Sequence, residues 1–284
     1  MGAVIAVIAV IFVASGRIGG YPGKDFVARL TVEGVIQDDR GRDELLEEAL
    51  KNDNIRALIV RIDSPGGTTA GGESLYQAIR KVGEKKPVIS VIGTLGASAG
   101  YMIALGGDRV IARGSSITGS IGVLFQNIVV ADMLQRWGVQ SETVKSGPLK
   151  ASPSPFEQMT EESRKAMQAM IDDTYHWFVD IVAERRGLDP AVATRLADGR
   201  VYTGRQALEH GLIDSLGGED EAREWLAREH DIAVELPTIE LDSRPPGEIL
   251  AEQLFGSLTF GFQKFLGSER LGLDGLISVW QPEG

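Results

Sequence analysis

Arg56-Ala-Leu-Ile-Val-Arg-Ile62, running straight into Asp63-Ser64-Pro65-Gly66-Gly67, is the stretch from which the fold is read. Its first part is an apolar run of strand length, the pattern of a strand buried on both faces. The glycine-rich stretch 63–72 then predicts a loop, which leads into a helix through Arg80. The same alternation continues outward. Upstream, Ala28–Ile36 reads as a strand, and Arg42–Leu50 as a helix with Leu45, Leu46, Ala49 and Leu50 on one face. Downstream come a buried strand at Pro87–Ile92, a connection at 93–97 and an apolar helix over 98–105. Short strands are expected at Asp108–Ala112 and Ile117–Phe125, a helix at Ala131–Trp137 and a strand at Ser141–Lys145. A loop rich in Ser, Pro and Gly covers 146–155. A long helix follows, with Thr160 as N-cap, Glu161 and Glu162 in its first turn, and Gly187 with Pro190 at its end. Alternation of this kind predicts an α/β domain with largely parallel strands.

The composition is that of a globular protein, 43% hydrophobic and 24% charged over 284 residues. A net charge of −11 argues against nucleic acid or an anionic membrane surface as a partner of the whole protein. The absence of cysteine removes disulfides, thiolate metal sites and a cysteine nucleophile. The first residues break the soluble pattern: 2–15 reads GAVIAVIAVIFVAS, without charge, and Arg17 closes it. Its length falls between a signal-peptide core and a full span of about 20 residues. We therefore read 1–20 as a hydrophobic N-terminal anchor or export signal, 25–240 as the main domain, and 245–284, beyond Arg244-Pro245-Pro246, as an amphipathic arm. That arm suits packing, an oligomer contact or a membrane-surface helix.

Three segments carry candidate chemistry: Asp63–Gly67, Gly96-Ala97-Ser98-Ala99-Gly100-Tyr101, and Lys145-Ser146-Gly147-Pro148-Leu149-Lys150. Each has an ordinary reading as a turn, a helix N-cap and a solvated lysine. Their combination points further. Ser98 opens an apolar helix after a buried strand, where backbone N–H groups lack partners and the helix dipole is positive. Such a place suits a nucleophile whose attack creates an oxyanion. An amide of Gly66 or Gly67, together with that of Ser98 or Ala99, would form the oxyanion hole.

A serine nucleophile needs a base. The segment 96–100 matches the G-x-S-x-G elbow, but in that motif the serine directly follows its strand. Here 93–97 are expected to intervene. His176, His210 and His230 all lie in charged or polar surroundings, so a His triad is not favoured. Lysine remains, and it acts as a base only if its pKa falls from about 10.4 toward 7–8. Lys150 has no acid after it until Glu157, which is compatible with such a shift.

RIDSPGG, GASAGY, TGSIGV, VKSGPLK and ADGRVYTGRQALEHGLID, in this order over residues 28–235, resemble the signal peptide peptidase A family. The resemblance implies a Clp protease/crotonase-like spiral of ββα units and a Ser-Lys dyad. Carried over motif by motif, it implies Ser98 as nucleophile and Lys150, rather than Lys145, as base. It also implies Gly66 and Gly67 at the oxyanion site, and Ser120 accepting a hydrogen bond from the lysine. Ala151 departs from the family, many members of which carry an acid or polar residue there. Chain length resembles the half-size members. That implies a homo-oligomer, a ring or dome whose active sites draw on neighbouring subunits. The expected substrates are apolar peptides, such as remnant signal peptides, reached by an extracytoplasmic domain on a membrane anchor. No metal, cofactor or nucleotide is implied. The alternatives are a related membrane-linked Ser-Lys protease that cleaves one membrane-protein partner, and a crotonase-like acyl-CoA enzyme using the same glycine amides.

Overall fold

The computed structural model describes residues 23–241 and the backbone of Ile277–Val279. The apolar run 1–20 and the rest of the arm 245–284 lie outside the described residues. Among the described residues, no helix is long and apolar enough to cross a membrane. The elements run β1 (Phe26–Ile36), α1 (Arg40–Lys51), β2 (Ile55–Thr68), α2 (Thr69–Gly83), β3 (Val88–Ala97), α3 (Ala99–Ala104), β4 (Arg109–Ala112) and β5 (Ile117–Gly119). They continue as α4 (Ala131–Arg136), α5 (Glu161–Arg186), α6 (Pro190–Leu196), β6 (Val201–Thr203), α7 (Gly204–Glu209), β7 (Ser215–Leu216), α8 (Glu219–His230), β8 (Thr238–Glu240) and β9 (Ile277–Val279).

The described strands form one mixed sheet along the path β6-β5-β3-β2-β1-β8, with β4 on β3, β7 on β4 and β9 on β2. All pairs are parallel except β5/β6 and β2/β9. Strand β2 explains its own sequence. Leu58, Val60 and Ile62 face the larger core with α1, α2, α3 and α5. Ala57 and Ile59 face the second core, against Ala222 and Leu226 of α8. Both faces are buried, so the run reads apolar without alternation.

Strand β3 is shared in a way that builds the site. Ile89–Ile92 pair with β4, whereas Leu95–Ala97 pair with β5. The sheet therefore splays at Gly93. The long helix α5 forms as its caps dictate. Thr160 Oγ1 accepts from the Ser163 N–H, and Gly187 closes the helix at φ 61°. Pro190 occupies the first turn of α6, capped by Asp189, so it starts a helix as well as following one.

Candidate active site

Ser98 follows β3 without a break, contrary to the expectation that 93–97 form a separate connection. Side chains hold this half of the strand in place. The Asp63 carboxylate accepts from the N–H groups of Thr94 (3.3 Å) and Leu95 (3.2 Å). Ser116 Oγ donates to Gly93 O (2.5 Å), and Thr118 Oγ1 donates to Gly96 O (2.7 Å). The chain then turns at Ser98 (φ 57°, ψ −122°) into α3. A positive φ in a serine is strained backbone, which persists only where neighbours over-determine it. The site is thus a strand–turn–helix elbow of the kind the G-x-S-x-G pattern describes. The small residues around Ser98 have a physical reason. A Cβ on Gly100 would lie 2.9 Å from Ser64 O, and one on Gly96 would lie 2.8 Å from the Ile92 side chain.

The glycine loop is also strand: β2 runs through to Thr68 instead of ending at Ile62. Its backbone hydrogen bonds narrow the choice of oxyanion donors. The Ser98 N–H donates to Gly119 O (2.8 Å), so it is committed. The Gly66 N–H, at φ 110°, donates to Ser64 Oγ (3.1 Å), and that hydroxyl donates to Gly34 O (2.6 Å). Gly67 lies in two ladders, opposite Ile36 of β1 and Ser278 of β9, so of the four candidates Ala99 is the one the strand pairings leave open. Ala99 opens α3, where an amide has no acceptor within its own helix. Gly67 admits no side chain, because its Cβ would fall 1.8 Å from Ile36 O. The sequence singles out Gly66 and Gly67 of Asp63–Gly67 but not the buried Ser64, whose hydroxyl holds the Gly66 N–H. The polar pair preceding Pro-Gly-Gly was the available signal.

Ser120 lies beside Ser98. Ala97 pairs with Gly119 in register, so the two serines are the next residues on adjacent parallel strands. Ser120 also has positive φ (50°), and its N–H donates to Arg200 O (2.8 Å). Residues 201–203 of the ADGRVYTG motif pair antiparallel with β5, which fixes that turn. Lys150 is placed differently. It is exposed, its N–H donates to Gly147 O (3.1 Å), and its amine has no hydrogen-bond or ion-pair partner among the described residues. Ser98 and Lys150 are therefore not hydrogen-bonded to each other within this chain. Lys145 forms an ion pair with Glu157. The three histidines are exposed, each with its ring edge-on to an aromatic neighbour: Tyr175, Tyr202 and Trp225.

The expected strand 117–125 stops at Gly119, and 141–145 is not a strand. Between Gly122 and Glu162 no residue is buried, although Ile128 (71% exposed), Trp137 (72%) and Val144 (99%) are apolar. A strand needs a partner for its backbone groups, and among the described residues no strand pairs with 141–145.

The chain thus presents an elbow serine at the head of α3, on a splayed and largely parallel sheet of Clp protease/crotonase-like arrangement. The fold is similar to that of the membrane-bound stomatin-specific protease 1510-N, solved as an alanine mutant. The TM-score is 0.50 at 16% identity, covering 78% of this chain and 99% of that one. Residues 80–233 match the model of peptidase family S49. A candidate protease of Synechocystis sp. is 40% identical over 77% of this chain and 80% of its own length. A candidate signal peptide peptidase SppA of Enterococcus faecium is 31% identical over 72% of this chain and 63% of its own length. This chain belongs to peptidase family S49 and is a serine peptidase.

Proposed function

We propose that the chain is an endopeptidase for apolar peptides, working through an acyl-enzyme on Ser98 with Lys150 as general base. The observation that carries this reading is the elbow: Ser98 at φ 57° between β3 and α3, next to the first amide of α3 at Ala99. The Lys150 amine takes the Ser98 Oγ proton as Oγ attacks the substrate carbonyl. The amides of Gly67 and Ala99 bind the oxyanion. The tetrahedral intermediate then collapses, its C–N bond breaks, and the lysine passes its proton to the leaving amine. In the second half Lys150 activates water, which releases the acid and frees Ser98.

Lys145 fits the base poorly, because Glu157 neutralises and holds its charge. Lys150 has no such counter-ion. Its exposed arm supports a homo-oligomeric enzyme in which desolvation of Lys150 next to Ser98 comes from packing between copies. Remnant signal peptides are the substrate class that fits an apolar specificity and an N-terminal membrane anchor at 1–20. The test is hydrolysis of an apolar fluorogenic peptide by wild type, Ser98→Ala, Lys150→Ala and Lys145→Ala. Loss of about 10³-fold or more in the first two, with Lys145→Ala within severalfold of wild type, supports the dyad. Activity that survives Lys150→Ala removes it.

A further inference from the structure

Strand β2 keeps step with β1 from Ala57 opposite Val27 to Asp63 opposite Glu33, and pairing resumes with Gly66 opposite Val35. In between, one residue of β1, Gly34, faces two of β2, Ser64 and Pro65, which makes a bulge. Pro65 has no N–H to give the ladder. The Ser64 side chain serves instead. Its hydroxyl donates to Gly34 O (2.6 Å) and accepts from the Gly66 N–H (3.1 Å). A hydroxyl has one proton, and the short bond to Gly34 claims it over the 3.4 Å approach to Gly66 O. That leaves the oxygen's lone pairs for the Gly66 N–H. Ser64 also meets the nucleophile's side of the sheet. Its backbone pairs with Gly96 of β3, and its carbonyl oxygen lies where a Cβ on Gly100 of α3 would come within 2.9 Å. The residue thus touches both segments that carry the proposed oxyanion amides, Gly67 on one and Ala99 on the other.

Resting on the protease reading above, we propose that Ser64 is a positioning residue for the oxyanion site. Its buried hydroxyl holds the bulge at Pro65–Gly66 in one shape, so that the backbone beyond it stands at a fixed distance from Ser98. Gly66 sits at φ 110°, a region that glycine enters and leaves freely, and a fixed partner for its N–H narrows the turn. Ser64 is fully buried, so bulk water does not substitute for the hydroxyl. An oxyanion donor works because it is in place before charge develops. A displacement of about 1 Å costs on the order of a hundredfold in rate. The loss falls on the transition state, whose oxygen carries the charge, and spares the binding of the uncharged substrate.

The test compares the full chain with Ser64→Ala and Ser64→Cys, whose thiol is similar in outline but hydrogen-bonds weakly. On an apolar fluorogenic peptide, Ser64→Ala is expected to lower kcat about tenfold or more with KM within about twofold of wild type. Ser64→Cys should fall between the two. A reversible peptide aldehyde gives the second readout. Ser98 Oγ adds to its carbonyl carbon, the hydroxyl proton passes to the former carbonyl oxygen, and that oxygen takes the oxyanion's place. The inhibition constant should rise in step with the loss in kcat. A serine that only supported folding would lower the fraction of active enzyme and leave the aldehyde's constant unchanged. Wild-type aldehyde affinity in a folded variant, or wild-type kcat per active site, therefore overturns the proposal; if Ser64→Ala does not fold, Ser64→Cys decides. Ser98→Ala separates this role from the reading beneath it. Hydrolysis that persists in Ser98→Ala removes the mechanism and the positioning role with it. Hydrolysis lost there but kept at wild-type kcat in Ser64→Ala removes the positioning role alone.

Discussion

From Val88 to Gly107 every residue except Thr94 and Leu95 is buried, and from Gly122 to Glu162 none is. The first region carries Ser98 and the second Lys150. Around Ser98, backbone and side-chain hydrogen bonds from Asp63, Ser116, Thr118 and Gly119 fix each successive residue of the strand end. Around Lys150 the recorded bonds are local, as between Ser152 and Ser163 or Lys145 and Glu157. The difference teaches that half of the proposed dyad is preorganised within the domain and the other half is not. A nucleophile must be held against amides that do not move. A lysine base needs desolvation, and an exposed arm acquires that by docking.

The sharpest way to break this comparison is to separate the two halves. If Lys150 reaches Ser98 of another copy, Ser98→Ala and Lys150→Ala proteins, each inactive, should recover activity when mixed and reassembled. About a quarter of wild-type activity is expected, from random pairing of one intact serine with one intact lysine. No recovery would place the lysine on its own chain's serine.

Next in size is a contrast in stability. Gly100→Ala forces a Cβ to 2.9 Å from Ser64 O. It should cost about 1–3 kcal/mol in chemical denaturation. Val144→Ser, at a fully exposed position, should change stability by less than about 0.5 kcal/mol. Similar costs at both positions would show that the arm packs in solution as the platform does.

The third test concerns what anchors the platform. Arg186 of α5 grips Asp214 with two hydrogen bonds of 2.8 and 2.9 Å, while the Val110 N–H at the head of β4 donates to the same carboxylate (2.7 Å). Burial pushes the Asp214 carboxyl up, but the bonds from Arg186 and Val110 outweigh it and leave the group below its ordinary value. A depressed carboxylate stabilises the fold above its unfolded pKa, and that contribution is lost as pH falls through the folded one. Asp214→Asn should therefore cost about 2–4 kcal/mol at neutral pH, since it leaves Arg186 without its counter-ion. Its stability should also fall less steeply than wild type as pH drops below about 4. Parallel pH curves for the two proteins would assign the acid sensitivity elsewhere.

Much of the platform was legible in the sequence. The buried runs at 56–62 and 87–92 reported strands covered on both faces, because burial on two sides erases alternation. The caps of α5 were legible as well, since a cap is a local bond between neighbours in the chain. The strand ends were not. Residues 63–68 and 93–97 are rich in glycine and look like loops, yet both are strand. The Asp63 carboxylate, 31 and 32 positions earlier, accepts the N–H groups of Thr94 and Leu95 and holds the second one in place. The expected strand at 141–145 differs for the same reason: its composition suits a strand, but no described strand pairs with it.

Ser98 and the glycines that must flank it were open to a reader of the sequence alone, because the small residues of a strand–helix elbow stand together in the chain. The choice of amides was not. Ser98 N–H and Gly66 N–H are committed by Gly119 and Ser64, Gly67 is paired on both edges of β2, and only the tertiary structure places those partners. The pairing of β9 with Gly66–Thr68 belongs with them. Nothing local in Ile277–Val279 names its partner, because which strand edge is vacant depends on where a distant strand turns away.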